Sequence, residues 1–301
     1  MGIAHPTRVS QFESFSFGYE RRMKKEETLG TYVFAVAVNS ANGLFLVDLE
    51  DNVVGKQLRN FGQYGLDEIE RLKPYITLES RVLIVGAHIG ALAIPISRLC
   101  KEVVAIEANP ITYNLLVKNI ALNAISNCCA INIAASDKEE DICFLLSRKN
   151  SGGSKRVPLK KEYIYYYDNP EEIEVEAASL DRYLSNTNFD VVVMDIEGSE
   201  YFALQGMQNI LSQCKLLAIE FLPHHLKNVS GVTVEQFLSA IPSHFSRLTI
   251  PSQQVTLNAP DFLRYLSEMY DRDCGDDSIL FESRDRNLKK RQAGDKKIVF
   301  F

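Results

Sequence analysis

Long uncharged apolar stretches are absent from this chain of 301 residues. The apolar segment Val82 to Ser97, which carries no formal charge, is shorter than the roughly 20 residues that cross a bilayer as a helix, and Gly86, Gly90 and Pro95 interrupt it. The N-terminal residues MGIAHPTRVSQFESF contain no apolar core, so they do not resemble a signal peptide. We expect no membrane span and a cytoplasmic location.

An excess of positive charge and paired cysteine motifs are also missing. Lys and Arg total 33 against 39 Asp and Glu, which gives a net charge of −6. Because a duplex-DNA binder needs a basic face to neutralise phosphates, DNA is not an expected partner. None of the six cysteines forms a C-x-x-C pair or has zinc-ligand spacing with histidine. We expect free thiols in a reducing compartment.

The composition indicates an ordinary globular protein, with 46% apolar and 24% charged residues. Residues 1–80 are predicted to form an N-terminal extension. It comprises a polar arm, a β-hairpin whose turn contains Asn42-Gly43, and a short helix from Leu66 to Leu72 with Asp67 as its cap. The basic residues 285–301 are predicted to be a C-terminal tail.

Residues 81–284 alternate between short apolar runs and helical segments. The runs RVLIVG, EVVAIE, CCAINIAA, FDVVVMD and KLLAIEFL are typical of buried parallel strands. Helices are predicted between the runs, over Ile89 to Cys100, Pro110 to Asn123 and Glu200 to Leu211. Near the end, FSRLTI and SILFES predict two more strands. This alternation predicts an α/β domain whose mostly parallel sheet carries helices on both faces.

Two of the predicted strand ends suggest a nucleoside-binding site. In open α/β sheets, ligands bind beyond the carboxyl ends of the strands. The turn after the first strand contains Gly86, Ala87, His88 and Gly90, and its glycines permit a tight turn and a close approach to a ligand. Glu107 ends the second strand about 20 residues later, where an acidic side chain accepts the hydroxyl protons of a ribose. Together these features predict a cofactor that carries a nucleoside.

S-adenosylmethionine (SAM) fits these residues better than a dinucleotide does. The dinucleotide motif G-x-G-x-x-G needs a glycine at the position of His88 so that the pyrophosphate can approach. SAM has no phosphate and needs a tight turn, a ribose acceptor and a polar group for the adenine. The glycine turn, Glu107 and the turn at Ser136 meet those needs. Ala108 and Asn109, directly after Glu107, complete the predicted cofactor-binding set.

Two further strand ends carry candidate catalytic groups. Asp195, Glu197 and Glu200 follow the fourth strand, and we expect at least one of them to contact a ligand. Alternatively, Asp195 caps the turn and Glu200 favours the next helix N-terminus. His224 and His225 follow the fifth strand, and a histidine there is suited to act as a general base. The alternative for this pair is one exposed ring and one ring packed against the loop.

Three motifs occur in order along the chain: GAHIGALAIPIS, EANPITYNLLVKNIALN and DIEGSEYFALQGM. With their flanking segments, from about residue 43 to about residue 225, they resemble the FkbM-type SAM-dependent methyltransferases. The resemblance implies a Rossmann-like class I methyltransferase fold with a seven-stranded sheet. It also implies methyl transfer to a hydroxyl oxygen of a sugar, a glycan or a small natural product.

Four positions depart from the pattern of that family. The acidic residue usually found two positions before the first glycine is Ile84, and the asparagine of the GAN motif is His88. The first proline of EPNP is Ala108, and the lysine two positions before the DIEG aspartate is Val193. In that family the acidic residue often holds the amine of the cofactor's methionine part. Here the amine therefore needs another partner, for which Asp195 is the candidate. These departures keep open an alternative, a non-catalytic protein that binds SAM.

The predicted reaction is O-methylation by a monomer or homodimer, with a small molecule or saccharide as acceptor. Asp195, Glu197 and His224 are the candidate bases for the hydroxyl proton. A divalent metal held by the same carboxylates is an alternative that we do not predict. An RNA-modifying enzyme is a further alternative, but the sequence has no N-P-P-Y-type motif and no added RNA-binding module, so RNA is not expected as a partner.

Residues 148–173 interrupt the strand–helix pattern. This segment is interpreted either as a solvated insertion loop or as a mobile lid that recognises the acceptor, because long loops in compact folds are often functional. It contains six basic residues and four tyrosines: Arg148, Lys149, Lys155, Arg156, Lys160, Lys161, Tyr163, Tyr165, Tyr166 and Tyr167.

Overall fold

The computed structural model describes residues 35–184 and 186–283. The predicted polar arm at residues 1–30 and the basic tail at residues 285–301 lie outside the described residues. Within these residues, no helix combines the length and the apolar character that a membrane crossing requires.

The strands, numbered in chain order, are β1 (Val36–Ser40), β2 (Gly43–Val47), β3 (Arg81–Val85), β4 (Glu102–Ile106), β5 (Cys128–Ile131), β6 (Ala134–Ala135), β7 (Glu140–Leu146), β8 (Lys155–Arg156), β9 (Glu171–Ala178), β10 (Val191–Met194), β11 (Leu216–Phe221), β12 (Phe245–Ile250), β13 (Val255–Asn258) and β14 (Asp276–Ser283). The α-helices are α1 (Val54–Phe61), α2 (Leu66–Leu72), α3 (Ala93–Ser97), α4 (Pro110–Leu122), α5 (Tyr163–Tyr166), α6 (Leu180–Tyr183), α7 (Glu200–Gln205), α8 (Gln208–Gln213), α9 (Pro223–His225), α10 (Val234–Ser239) and α11 (Phe262–Asp271).

The main sheet has the strand order β13-β12-β14-β11-β10-β3-β4-β5. The five strands from β11 to β5 are parallel, and β14, β12 and β13 continue the sheet in antiparallel pairing. This arrangement confirms the predicted α/β fold with a mostly parallel sheet. The short strand β13 extends the predicted set of seven strands by one, as the hairpin partner of β12.

Helices cover both faces of the sheet. Successive side chains of a strand point to opposite sides, and the central strands have apolar side chains on both. Leu83 and Val85 pack with residues of α7, α8, α10 and α11 on one face. Val82 and Ile84 pack with residues of α2, α3 and α4 on the other. The central strands are therefore buried on both sides, which accounts for their continuous apolar sequences.

The N-terminal extension contains the predicted hairpin, with β1 and β2 antiparallel and Ser40 opposite Gly43. The buried Asn42 side chain donates to the carbonyl oxygens of Tyr64 and Ala91, which fixes the hairpin against the main domain. The predicted cap of α2 is wrong. Gly65 is the N-cap residue of that helix, and Asp67 lies inside the first turn, where it pairs with an arginine of the same helix.

A second sheet, of order β6-β9-β7-β8, is formed by strands within and on both sides of the segment that interrupts the strand–helix alternation. Within residues 148–173 the chain forms a 3₁₀ turn at Ser151–Gly153, strand β8, helix α5 and the first residues of β9. Strand β9 alternates exposed glutamates with buried residues such as Val175 and Ala177, as expected of an antiparallel strand with one wet face. The segment is therefore folded against the domain.

Candidate functional site

A cavity of about 640 Å³ lies at the carboxyl ends of β3, β4, β10 and β11. The turns that follow these four strands form its floor. Residues of the N-terminal extension and of the second sheet, including Tyr64, Phe144 and Lys155, also line it. Its volume falls within the range of roughly 300–1,000 Å³ that is typical of small-molecule sites.

The glycine turn after β3 brings the backbone to the edge of this cavity. Gly86 has φ +90°, and a Cβ there would lie 1.8 Å from the carbonyl oxygen of Asp195, so a side chain at this position would push β3 and β10 apart. Gly86, Ala87 and His88 line the cavity. His88 itself adopts the left-handed conformation, with φ +51°.

Glu107 is buried at the carboxyl end of β4 and lines the cavity. One carboxylate oxygen accepts the backbone N–H of His88 at 2.6 Å. The other accepts the backbone N–H of Asn109 and the hydroxyl of Thr112, both at 2.9 Å. Burial raises the pKa of Glu107, while these three donors favour its charged form. The network holds the carboxylate in a fixed orientation.

The imidazole of His88 is held by a chain of polar groups. The Ser151 hydroxyl lies 2.7 Å from Nε2 of His88 and donates to the Asp51 carboxylate at 2.6 Å. Since that hydroxyl has one proton, we assign the proton of His88 to Nε2. Burial lowers the pKa of His88 to about 4, which keeps the ring neutral near pH 7. These hydrogen bonds join the glycine turn to the N-terminal extension through Asp51 and to the segment of residues 148–173 through Ser151.

Three predicted cofactor-binding residues are not part of the cavity lining. Gly90 faces the core, where a Cβ would lie 2.9 Å from Leu116. The Asn109 side chain donates to the Ser154 hydroxyl at 3.1 Å, and Ser136 accepts from the Arg156 guanidinium at 3.0 Å. Their neighbour Ala108 does line the cavity.

The acidic loop after β10 presents two of its carboxylates to the cavity. Asp195 and Glu197 line it, and desolvation raises the pKa of Asp195 well above its ordinary range, with Glu197 and Glu200 adding to the rise. Glu200 turns inward, where it accepts the backbone N–H groups of Ile196 and Gly198, both at 2.9 Å. Burial raises the pKa of Glu200 to about 7. Glu200 therefore shapes the loop, and Asp195 faces the cavity.

Lys155, on β8, reaches the cavity from the second sheet. Its Nζ donates to Glu197 at 2.8 Å and lies 3.3 Å from Nε2 of His225. The other ring nitrogen of His225 lies 3.2 Å from the Glu220 carboxylate. Burial, together with the Lys155 charge, lowers the pKa of His225 to about 2. We therefore assign a neutral ring, in which Nδ1–H donates to Glu220 and Nε2 accepts from Lys155.

His224 also lines the cavity, at the carboxyl end of β11. Its ring centroid lies 4.3 Å from that of His225, and its carbonyl oxygen accepts the Tyr165 hydroxyl at 3.0 Å. Burial lowers the pKa of His224 below the ordinary value of 6.5. The ring is therefore neutral near pH 7 and able to accept a proton.

The family model for the methyltransferase FkbM domain matches residues 85–276, more than half of the chain. The chain belongs to the FkbM methyltransferase family. The matched region begins in β3 and ends in β14, so it includes every strand end that lines the cavity. No curated protein matches the chain.

Three solved structures illustrate the similarity of this FkbM-family chain to other methyltransferases. An FkbM methyltransferase from Methylobacillus flagellatus KT has 16% identity and a TM-score of 0.41, over 68% of this chain and 44% of that one. An rRNA methylase from Streptococcus thermophilus has 12% identity and a TM-score of 0.42, over 72% and 95%. A tRNA m1G37 methyltransferase from M. jannaschii has 14% identity and a TM-score of 0.35, over 71% and 56%. The chain thus spans less than half the length of the Methylobacillus protein.

The site of this FkbM-family chain contains an arrangement that the sequence did not predict. Oxygen and nitrogen atoms of Glu197, Glu220 and His225 lie within 4.8 Å of one another, a spacing that allows a metal ion to be held. Carboxylate and imidazole groups are ordinary ligands of divalent transition metals. The Lys155 ammonium, however, contacts two of these three side chains directly.

Proposed function

We propose that the chain transfers a methyl group from SAM to a hydroxyl oxygen of a sugar, a glycan or a small natural product. Membership of the FkbM methyltransferase family supports the reaction class. The observation that carries the proposal is the position of the buried Glu107 carboxylate, beside the glycine turn and inside the cavity at the strand ends. An acidic group at this place is suited to accept the hydroxyls of a ribose.

The charge of the cavity also suits this cofactor. Two basic side chains line the cavity, Lys155 and Arg71. Seven carboxyl groups line it: Asp67, Glu68, Glu107, Asp195, Glu197, Glu220 and Asp277. A positively charged ligand stabilises the ionised form of such carboxyl groups, and SAM carries a sulfonium and an ammonium group. When bound, SAM supplies the methyl group that its sulfonium carries.

The chain's own residues divide the remaining tasks. Glu107 holds the ribose, the Gly86 turn gives room for the methionine part, and Asp195 takes the amine in place of the acidic residue missing at Ile84. His224 accepts the proton of the acceptor hydroxyl. Glu197 is less suited to that task, because it is held in an ion pair with Lys155.

Under this proposal the enzyme acts in the cytoplasm as a monomer or homodimer. The direct test is incubation with methyl-labelled SAM and a panel of acceptors: saccharides, glycans, hydroxylated natural products and total RNA. The proposal predicts label in a hydroxyl acceptor, linked as an ether that resists mild base. Label in RNA alone would show that the protein is an RNA-modifying enzyme. SAM binding without any transfer would assign the non-catalytic alternative.

A further inference from the structure

Lys155 occupies an unusual environment for a lysine. Its side chain is 8% exposed, although lysine is rarely buried without a partner. Its ammonium lies 2.8 Å from Glu197, 3.3 Å from His225 and 5.2 Å from the centre of the Tyr165 ring. A carboxylate, an imidazole lone pair and an aromatic face all attract a cation. The three side chains thus form a cation site, and Lys155 fills it.

The backbone holds Lys155 in this place. Strand β8 pairs with β7, with Lys155 opposite Leu145. Arg156, the next residue, points the other way and contacts Ser136 and Glu140. The alternation of side chains along the strand therefore places the Lys155 ammonium in the cavity and the Arg156 guanidinium on the opposite side of the strand.

The same cluster without Lys155 would be a set of metal ligands. The ligand atoms of Glu197, Glu220 and His225 lie within 4.8 Å of one another. Lys155 donates to Glu197 and faces the lone pair of His225, so it engages two of the atoms that a metal would need. Two cations so close together repel each other strongly in a site of low dielectric.

We propose that Lys155 is the resident cation of the cluster formed by Glu197, Glu220 and His225, in the position that a divalent metal would otherwise take. An ammonium has three N–H donors. Two point at Glu197 and His225, and in the described part of the chain no other group accepts the third. That third N–H binds the oxygen of the acceptor. The metal-excluding role stands by itself, whereas the contact with the acceptor rests on the proposed methyl transfer.

The first test measures Mn²⁺ binding, which needs neither SAM nor an acceptor. Mn²⁺ is titrated into the wild type, Lys155→Ala, Lys155→Ala/His225→Ala and Lys160→Ala, and is followed by calorimetry and electron paramagnetic resonance. Lys160, exposed in the same segment, is the matched control. We expect Lys155→Ala to bind Mn²⁺ at least tenfold more tightly than the wild type and Lys160→Ala. Adding His225→Ala should abolish the gain.

Two results would overturn the proposal. One is a wild type that binds Mn²⁺ as tightly as Lys155→Ala does. The other is a folded Lys155→Ala variant that gains no affinity. If Lys155→Ala does not fold, the electron paramagnetic resonance spectrum of Mn²⁺ with the wild type decides. Nitrogen coupling from His225 would show that the lysine does not exclude the metal. Absence of bound Mn²⁺ would support exclusion.

The second test addresses the contact with the acceptor. Lys155→Met keeps most of the volume and removes the charge. We expect it to lower turnover at least a hundredfold, with SAM affinity within threefold of the wild type, and we expect EDTA to leave wild-type turnover unchanged. Loss of wild-type turnover in EDTA, or full turnover of Lys155→Met, would contradict the proposal. If the wild type transfers no methyl group at all, the proposed function fails while the Mn²⁺ test still stands.

Discussion

The charged side chains of the cavity have distinct tasks because their surroundings differ. Glu107 is fixed by three donors, Lys155 holds Glu197, and Asp195 faces the cavity. The His225 ring is locked between Glu220 and Lys155. His224, by contrast, makes no side-chain hydrogen bond to the described residues, so its ring is available to a ligand.

The proposed role of His224 as the general base predicts the effect of removing its ring. We expect His224→Ala to lower turnover by about 10²–10⁴-fold, the usual contribution of a general base, and to retain SAM binding. Steady-state kinetics and calorimetry measure the two effects. His244, whose ring contacts the Cys214 carbonyl oxygen outside the cavity, gives a matched control variant, His244→Ala. Full turnover of His224→Ala would remove the histidine from the mechanism.

The pH dependence of turnover follows from the same ring. As the pH falls, His224 becomes protonated and loses the ability to accept the hydroxyl proton, so turnover decreases. A free histidine predicts a midpoint near 6.5, but burial lowers the pKa of His224. The acidic limb should therefore be centred below 6.5 and should disappear in His224→Ala. A limb centred above 6.5 would indicate another group.

Local sequence signals predicted some of these residues and missed others. Glu107 and Asp195 follow continuous apolar runs directly, so their place at the sheet edge could be inferred. Lys155 lies in a strand of only two residues, which is too short to give an alternating pattern, so nothing local distinguished it from the exposed lysines nearby. His225 was predicted only as a member of the His224–His225 pair. Its partner Glu220 lies within the buried run of β11, so no local polar pattern indicated the contact between them.

At the scale of elements, the parallel strands were predictable and several helices were shorter than predicted. The helix predicted over residues 89–100 is confined to Ala93–Ser97, after a turn built on Gly86 and Gly90. The helix predicted over residues 200–211 is divided into α7 and α8 at Gly206. The second sheet was missed because its basic, tyrosine-rich connection resembles a loop.

Gly206, between α7 and α8, is packed tightly against the second sheet. A Cβ at this position would lie 1.8 Å from the carbonyl oxygen of Ser136 and 3.1 Å from Cα of Ser179. We expect Gly206→Ala to lower the free energy of unfolding by about 1–3 kcal/mol, as overpacked sites do. Gly152→Ala, whose Cβ would meet nothing closer than 3.5 Å, is the control for chemical denaturation. Equal stability of the two variants would show that Gly206 is not closely packed against the Ser136 carbonyl.

The segment of residues 148–173 supplies part of the cavity lining. A deletion of residues 150–161 would remove Ser151 and Lys155, which hold His88 and Glu197, so it would not test acceptor recognition cleanly. Point variants of helix α5 make a sharper test, because Ile164 lines the cavity and is 58% exposed.

We expect Ile164→Ala to raise the KM for the acceptor about fivefold or more, since roughly 1 kcal/mol of apolar contact would be lost. The Kd of SAM should stay within threefold. Leu78→Ala, at a residue that is 73% exposed and absent from the cavity lining, is the matched control. An unchanged KM in Ile164→Ala would leave the segment with a structural role alone.

At the scale of the whole molecule, we propose that the cavity at the strand ends holds SAM by its ribose. Calorimetric titration of SAM into the wild type, Glu107→Ala and Glu102→Ala tests it most directly. Glu102 lies at the opposite end of β4 and pairs with Arg81 there, outside the cavity. We expect Glu107→Ala to weaken SAM binding by about 1.5–3 kcal/mol, roughly 10- to 150-fold, the range for a hydrogen bond to a charged group. We expect wild-type affinity for Glu102→Ala. Equal affinity of Glu107→Ala and the wild type, or no binding of SAM by the wild type, would show that Glu107 does not hold the ribose of SAM in this cavity.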